Sequence, residues 1–263
     1  MKVLITNDDG VQSQGIIQLA KQVRQQAEVF LVAPRVEQSG VSQAITFLSP
    51  LFSHELKSDQ QCQTDHIPGY SVNGTPVDCV KLALSELCPW KPDLILSGIN
   101  SGLNAGINVS HSGTAGGALV AATFEIPSFS ISLESSANPN FEKAAKLAWP
   151  LIQQLRKVEL PARSVININI PTAAIDGDYE VAMVPVETNP MAYHFDTGTD
   201  PKGRPYFWST NNPSPEPSPF ETDTQALLKG KVTVSVISYD LNFPAAMQAL
   251  EQAFDQNALS KKS

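Results

Sequence analysis

The sequence predicts an α/β protein: a doubly wound, mostly parallel sheet with helices on both faces, followed by an extended arm or hairpin region. Three observations carry this. Short apolar runs alternate with helix-period runs through the first two-thirds of the chain. The polar, glycine-bearing segments fall directly after strand-like runs. Proline then becomes frequent, with eight of the 20 prolines between Pro185 and Pro219.

Val3–Thr6 reads as a short buried strand. Ile16, Leu19, Ala20, Val23 and Ala27 then recur at helical spacing. Glu28–Ala33 is the second strand, stopped by Pro34. Thr75-Pro76 is a helix start, an N-cap followed by proline at the first helical position, with Val77, Val80, Leu84 and Leu87 on one face. Asp93–Ser97 is a strand, and Thr114–Glu125 a helix of small residues. Ser128–Leu133 is a strand, Phe141–Leu155 a helix bent or interrupted at Pro150, and Ser164–Ile170 a further strand. Lys231–Leu241 alternates as a strand, and Pro244–Gln256 closes the chain as a helix. The order is Rossmann-like. It divides the chain into a core over 1–184, a proline-rich excursion over 185–230 that is either an oligomerisation arm or a surface loop, and a C-terminal strand and helix over 231–263.

Composition bounds the partners. A net charge of −8 argues against extended contact with a nucleic-acid backbone, which needs clustered Lys and Arg. No apolar run reaches the ~18 residues of a membrane span. Met1-Lys2 runs straight into a strand, without the features of a signal peptide. Cys62, Cys79 and Cys88 are odd in number and lack a CxxC spacing, so neither a disulfide framework nor a zinc site is expected. These readings place the protein in the cytoplasm.

The chemistry concentrates at strand ends, where ligands of such sheets bind. Val3–Thr6 ends in Asn7-Asp8-Asp9-Gly10. Asp-Gly is an ordinary turn dipeptide, but a turn does not need two adjacent carboxylates, which repel. Hard divalent cations take oxygen ligands, and one or two carboxylates are typical of magnesium. Neighbouring strand side chains point to opposite faces, so Asp8 and Asp9 converge on one ion only if the chain turns, as Gly10 permits. Both readings, turn and cation site, stand at this point.

The stretch from Ser97 to Gly117 holds six glycines and no Lys or Arg, with Asn100, Asn104 and Asn108 at every fourth position. So much glycine makes a helix costly and a loop the better reading. Ser112-Gly113-Thr114 falls where the next helix begins, and free N–H groups there favour an anion such as phosphate. With no basic residue in the stretch, phosphate charge must be met by a metal and by N–H donors. Ala33 to Gly40 leaves the second strand on the same rim. GxGxxG, GxxxxGK[ST] and GxSxG are absent. Asp176-Gly177-Asp178 reads as a turn. Of the histidines only His111 lies in this loop; His54, His66 and His194 are assigned to packing or hydrogen bonding.

NDDG after the first strand, AP with QSG after the second, NGTPVDCV before a helix, and SGIN.G.N.G..V..SGT.G together resemble the SurE family (survival protein SurE, 5′-nucleotidase SurE), in order and over nearly the whole chain. Thr222-Asp223, Ala226 and Gly230 resemble its C-terminal pattern. The resemblance implies one divalent metal ion per subunit, Mg2+ or Mn2+, held by Asp8, Asp9, Ser39 and Asn100. It implies hydrolysis of nucleoside 5′-monophosphates, and of 3′-monophosphates and short polyphosphate, with phosphate held at Asn100, Ser112, Gly113 and Thr114. Asp8, Asp9 and Asn100 would be catalytic. It also implies a homodimer or homotetramer with exchanged C-terminal arms. The competing class is a non-catalytic nucleotide- or metal-binding module on the same fold. The chain departs from the family at Arg35, Asn108 and His111, none of them a presumed ligand.

Overall fold

The computed structural model describes residues 1–56, 66–190, 194–210 and 216–254. The helical and strand segments are β1 (Lys2–Thr6), α1 (Gln14–Val23), β2 (Glu28–Pro34), β3 (Ser53–Glu55), β4 (Gly69–Val72), α2 (Pro76–Leu82), β5 (Leu94–Ser101), α3 (Gly113–Ala122), β6 (Ser128–Leu133), α4 (Phe141–Leu155), β7 (Ser164–Ile170), β8 (Val181–Met183), β9 (Phe195–Thr199), β10 (Pro205–Ser209), α5 (Asp223–Leu228), β11 (Val232–Ser238) and α6 (Pro244–Ala253). A nine-stranded sheet runs β3-β4-β2-β1-β5-β6-β7-β11-β8, and β9 with β10 forms a separate antiparallel hairpin.

The six strands from β4 to β7 are mutually parallel; β3 pairs antiparallel to β4 and β11 antiparallel to β7, while β8 runs parallel to β11. The chain winds outward from β1 through β2 to β4, then crosses back to place β5 on the other side of β1. The switch point therefore lies between β1 and β5, with Thr6 opposite Ser97. Crevices of this kind are where ligands bind in doubly wound sheets.

Alternation along each strand sorts side chains between two layers. Val3, Ile5, Leu96, Phe129, Ile131, Ile166 and Ile168 pack under α1 and α4 with Ile16, Leu19, Ala148 and Trp149. Leu4, Phe30, Val32 and Ile95 face α2 on the other side. Under α3 the sheet is polar instead: Ser97, Ser130, Ser132, Asn167 and Asn169 are all fully buried. The alternation in SFSISL and SVININI is thus two buried faces, one apolar and one hydrogen-bonded.

Several expectations are corrected. The strand predicted over Asp93–Ser97 runs to Ser101, with an irregularity between Ser97 and Asn100 in its pairing with β6. The glycine-rich stretch is no continuous loop: it carries a 3-10 helix over Gly106–His111 before Ser112 caps α3. Helix α3 stops at Ala122 rather than Glu125. Helix α2 stops at Leu82, and Leu84 and Leu87 pack from a π-type turn over Ala83–Leu87. Pro150 lies inside α4 without interrupting it, on an exposed position of the helix. Strands β3, β4 and β8 and helix α5 go beyond the sequence reading, whereas β9 and β10 form a hairpin within the expected arm or hairpin region. His54, His66 and His194 are exposed, which removes packing from the two roles expected of them, and His194 faces Asp196 at 3.8 Å. The closing helix ends at Ala253, and Gln256, like Cys62, lies outside the described residues. Among the described residues no helix is long and apolar enough to cross a membrane.

Candidate active site at the β1–β5 crevice

Asn7, Asp8 and Asp9 leave β1 directly into the crevice. Gly10 has φ of 97°, a left-handed conformation that favours glycine. The buried Asn7 amide donates to the Gly10 carbonyl at 2.9 Å and to Ser13 Oγ at 2.8 Å, so the turn is folded over its own first residue. That fold separates the two carboxylates onto different partners.

Asp8 is only 4% exposed. Thr114, at the first turn of α3, donates its backbone N–H to Oδ2 at 3.0 Å and its hydroxyl to Oδ1 at 2.5 Å. Asp8 also sits against Gly113: a Cβ there would lie 2.9 Å from the Asp8 Cβ and from Oδ2. Only glycine lets the helix start come this close. Burial raises the Asp8 pKa, against the bonds from Thr114, and the nearby Glu37 raises it further. Asp9 is half-buried and accepts the Ser101 N–H at 3.0 Å, which joins the ends of β1 and β5. Burial pushes its pKa up to about 6, with added repulsion from Asp8 and Glu37.

The loop after β2 closes the rim. The Gln38 N–H donates to the Asp8 carbonyl at 2.7 Å, which ties the segment that carries Ser39 to the end of β1. Ser39 is exposed, and its hydroxyl donates to Glu37 Oε1 at 2.7 Å. Ser42 then ties this loop to the glycine-rich segment through the His111 and Ser110 carbonyls, at 3.0 and 2.7 Å. Asn100 is half-buried near the end of β5. Its amide donates to the Gly102 carbonyl at 2.7 Å, and its side-chain oxygen has no hydrogen bond among the described residues.

The anion expected at the start of α3 is partly supplied by the protein itself. Asp8 takes the Thr114 N–H, and the Ser112 side chain takes the Ala115 N–H at 3.0 Å. That leaves the Gly113 N–H and the Ser112 hydroxyl proton for an outside ligand. Thr114, read from sequence as a phosphate contact, has both its donors on Asp8.

Sequence reading missed two features. Glu37 is a third acid on the rim, visible in sequence only as one residue of an unremarkable turn. Asn104, in the sequence only one of three regularly spaced asparagines, is structural. Its side chain donates to Ser132 at 2.8 Å, its N–H to Asn169 at 2.8 Å, and its carbonyl accepts from Asn167 and Asn169 at 2.9 and 3.0 Å. Asn100 and Asn104, four residues apart, therefore do different work.

Among the described residues no group of three or more His, Cys, Asp or Glu is placed to hold a metal ion, so a cation here would draw on two carboxylates together with hydroxyl and amide oxygens. Asp8, Asp9 and Glu37 press on one another, and no Lys or Arg pairs with any of them among the described residues. The Asn7 side-chain oxygen is buried without a partner. Carboxylate, hydroxyl and amide oxygens on one rim are the ligand types that magnesium and manganese prefer.

Fold and rim together define a class: a doubly wound α/β protein with a buried acidic pair at its switch point, facing a glycine-rich, capped helix start. The comparisons sharpen this. The family model described as "Survival protein SurE" matches residues 3–190. The protein called "5′-nucleotidase SurE" from Rhodopirellula baltica is 39% identical over 92% of this chain and 94% of its own length. The protein of that name from Thermosipho melanesiensis is 35% identical over 98% of this chain and all of its own length. "Crystal Structure of Sure Protein from Aquifex aeolicus" superposes with a TM-score of 0.81 at 31% identity, covering 97% of this chain and 100% of that one. The chain belongs to the SurE family.

Proposed function

We propose that this protein is a metal-dependent phosphomonoesterase that hydrolyses nucleoside 5′-monophosphates to nucleoside and phosphate, with 3′-monophosphates and short polyphosphate as further substrates. The observation that carries the reading is the Asp8–Asp9 pair. One acid is locked against α3 and the other is left partly open, at the switch point of a chain whose relatives are named 5′-nucleotidases.

Asp8, Asp9, Ser39 and Asn100 would hold one divalent ion, Mg2+ or Mn2+. When bound, such an ion polarises a phosphoryl oxygen and lowers the pKa of water. Asn100 offers its free amide oxygen and Ser39 its hydroxyl once it turns from Glu37. Asp9 is the better general base: it accepts a single N–H and is the more open acid, whereas both Asp8 oxygens are held by Thr114. It takes a proton from the attacking water as the new P–O bond forms. The P–O bond to the nucleoside breaks, and the leaving oxygen takes up a proton. The Gly113 N–H and the Ser112 hydroxyl meet charge that develops on the phosphoryl oxygens. Asp8 keeps its orientation through Thr114 throughout.

Assembly into a homodimer or homotetramer is part of the same reading. The hairpin exposes Phe207 and Trp208 at 69% and 71%, and α6 has no buried residue. Surfaces of this kind mark contacts with another chain. Cysteine usage supports a cytoplasmic location: the described thiols Cys79 and Cys88 are unpaired.

Phosphate release from a nucleoside 5′-monophosphate, measured with and without a chelator, tests the function. We expect turnover that stops on chelation and returns with Mg2+ or Mn2+. Binding of the nucleotide without any release under those conditions would leave a binding module instead.

A further inference from the structure

The excursion that follows β8 returns to the core at one buried pair of acids. Glu187 is 1% exposed and Asp223 fully buried. Glu187 closes the stalk: its carboxylate accepts the Asn189 N–H at 2.9 Å, the Ser218 hydroxyl at 2.8 Å and the Thr222 hydroxyl at 3.1 Å, so the outgoing and returning strands meet on one side chain. Asp223 then reaches sideways. Its Oδ1 accepts the N–H of Glu187 at 2.8 Å, and its Oδ2 accepts the N–H of Gly106 at 2.9 Å. Gly106 opens the 3-10 helix that runs to His111, and Ser112 and Gly113 follow directly.

We propose that Asp223 is a positioning residue for the active site, which ties the closed stalk of the excursion to the start of the segment that presents Ser112 and Gly113. This rests on the reading of that turn as the phosphate-binding element.

Geometry and cost both favour it. A buried carboxylate without a cationic partner is costly, so a site that needed only filling would be better served by an apolar residue. Both Asp223 oxygens face N–H donors, and only a carboxylate offers two acceptors in that orientation. The contact is also close: a Cβ at Gly106 would lie 3.1 Å from Thr224 Cγ2. From Gly106 the segment is one short helical rod, held at its far end by Ser42 on the His111 carbonyl. A shift at Gly106 therefore arrives at Ser112. Displacements of about 1 Å at a reacting group cost as much as 10²-fold in rate.

The test uses the full-length protein and the variants Asp223→Asn and Glu187→Gln, with three readouts. Steady-state kinetics on a nucleoside monophosphate separates kcat from KM. Amide hydrogen exchange compares residues 106–114 with β1 and β5. Calorimetry follows inorganic phosphate in the presence of Mg2+. In Asp223→Asn an NH2 group must face at least one of the three N–H donors, those of Gly106, Glu187 and Thr224. We expect exchange over 106–114 to rise about tenfold or more while β1 and β5 stay protected, with KM and phosphate dissociation raised and kcat/KM down about 10- to 100-fold. Glu187→Gln changes the stalk carboxylate but leaves the Asp223 bond to the Gly106 N–H in place, and moves the same readouts by less. Should Asp223→Asn not fold, Glu187→Gln decides alone. Unchanged exchange and kcat/KM in a folded variant overturn the proposal, as does equal loss of protection in the loop and in β1 and β5, which is general destabilisation. A wild type that neither releases nor binds phosphate defeats the underlying functional reading instead, while the exchange comparison still decides whether Asp223 holds the segment.

Discussion

Thr114 grips both oxygens of Asp8, one through its backbone N–H at 3.0 Å and one through its hydroxyl at 2.5 Å. The first carboxylate of the doubled pair is thereby fixed by the helix that begins beside it. The second, on Asp9, stays available. Two adjacent residues of the same type acquire different roles from their partners alone.

Replacing either acid should separate activity from folding. Asp8→Asn and Asp9→Asn are each expected to lower turnover by about 10²-fold or more, with thermal stability at neutral pH equal to or above wild type, since each removes a partly desolvated charge. Initial rates at saturating nucleotide and metal, beside a melting curve, decide this. Full activity in either variant would remove that residue from the site.

Thr114→Val keeps the shape and deletes the hydroxyl. The N–H to Asp8 survives, so the carboxylate keeps one of its two anchors. A loss of about 1–3 kcal/mol in stability or binding is the scale for a buried hydrogen bond broken on one side. We expect kcat to fall more than KM rises, because Thr114 spends its donors on Asp8 rather than on substrate. A pure KM effect would return Thr114 to the phosphate.

Stability in metal-free buffer should depend on Asp9 with a definite sign. Its folded pKa of about 6 lies above the ordinary 3.8, so the folded protein holds this proton more tightly than the unfolded chain. The contribution of Asp9 to stability therefore falls as pH rises from 3.8 through about 6. Melting curves of wild type and Asp9→Asn across that window should diverge, with the wild type losing ground as pH increases. Added Mg2+ should restore it, and metal affinity should weaken below pH ~6 as protons compete. Parallel curves would show that Asp9 titrates normally.

Asn100→Ala and Asn104→Ala should fail differently. Asn104→Ala loses the bond to Ser132 inside a buried polar layer and should cost about 1–3 kcal/mol of stability. Asn100→Ala leaves the melting curve nearly unchanged and weakens Mg2+ or Mn2+ binding and turnover. Denaturant titration and metal titration together distinguish the pair; matching profiles would mean the two asparagines share one role.

Replacing 195–209 by a short turn removes the hairpin that carries Phe195, Tyr206, Phe207 and Trp208. The hairpin belongs to no core cluster, so the fold should survive while the assembled mass measured by light scattering falls. An unchanged mass would make the hairpin a surface loop.

By itself the sequence determined the alternation of β1, α1, β2, α2, β5, α3, β6, α4 and β7, because buried strands and amphipathic helices announce themselves by apolar spacing and by caps such as Thr75-Pro76. It also singled out Asp8, Asp9 and Ser112 at a strand end and a helix start, and the family resemblance added Ser39 and Asn100. Tertiary structure decided what each does. Asn100 and Asn104 have the same chemistry and spacing, and only the tertiary fold leaves one at the end of β5 and carries the other onto Ser132 of β6 and Asn167 and Asn169 of β7. The short strands β3 and β8 at the sheet edges, and β4 between β3 and β2, form by pairing with other strands, which local pattern does not reveal. Asp223 stands 117 residues from Gly106, and no periodicity links them. Hydrogen-bond partners are set by where chain segments meet in space, and that is information the fold supplies.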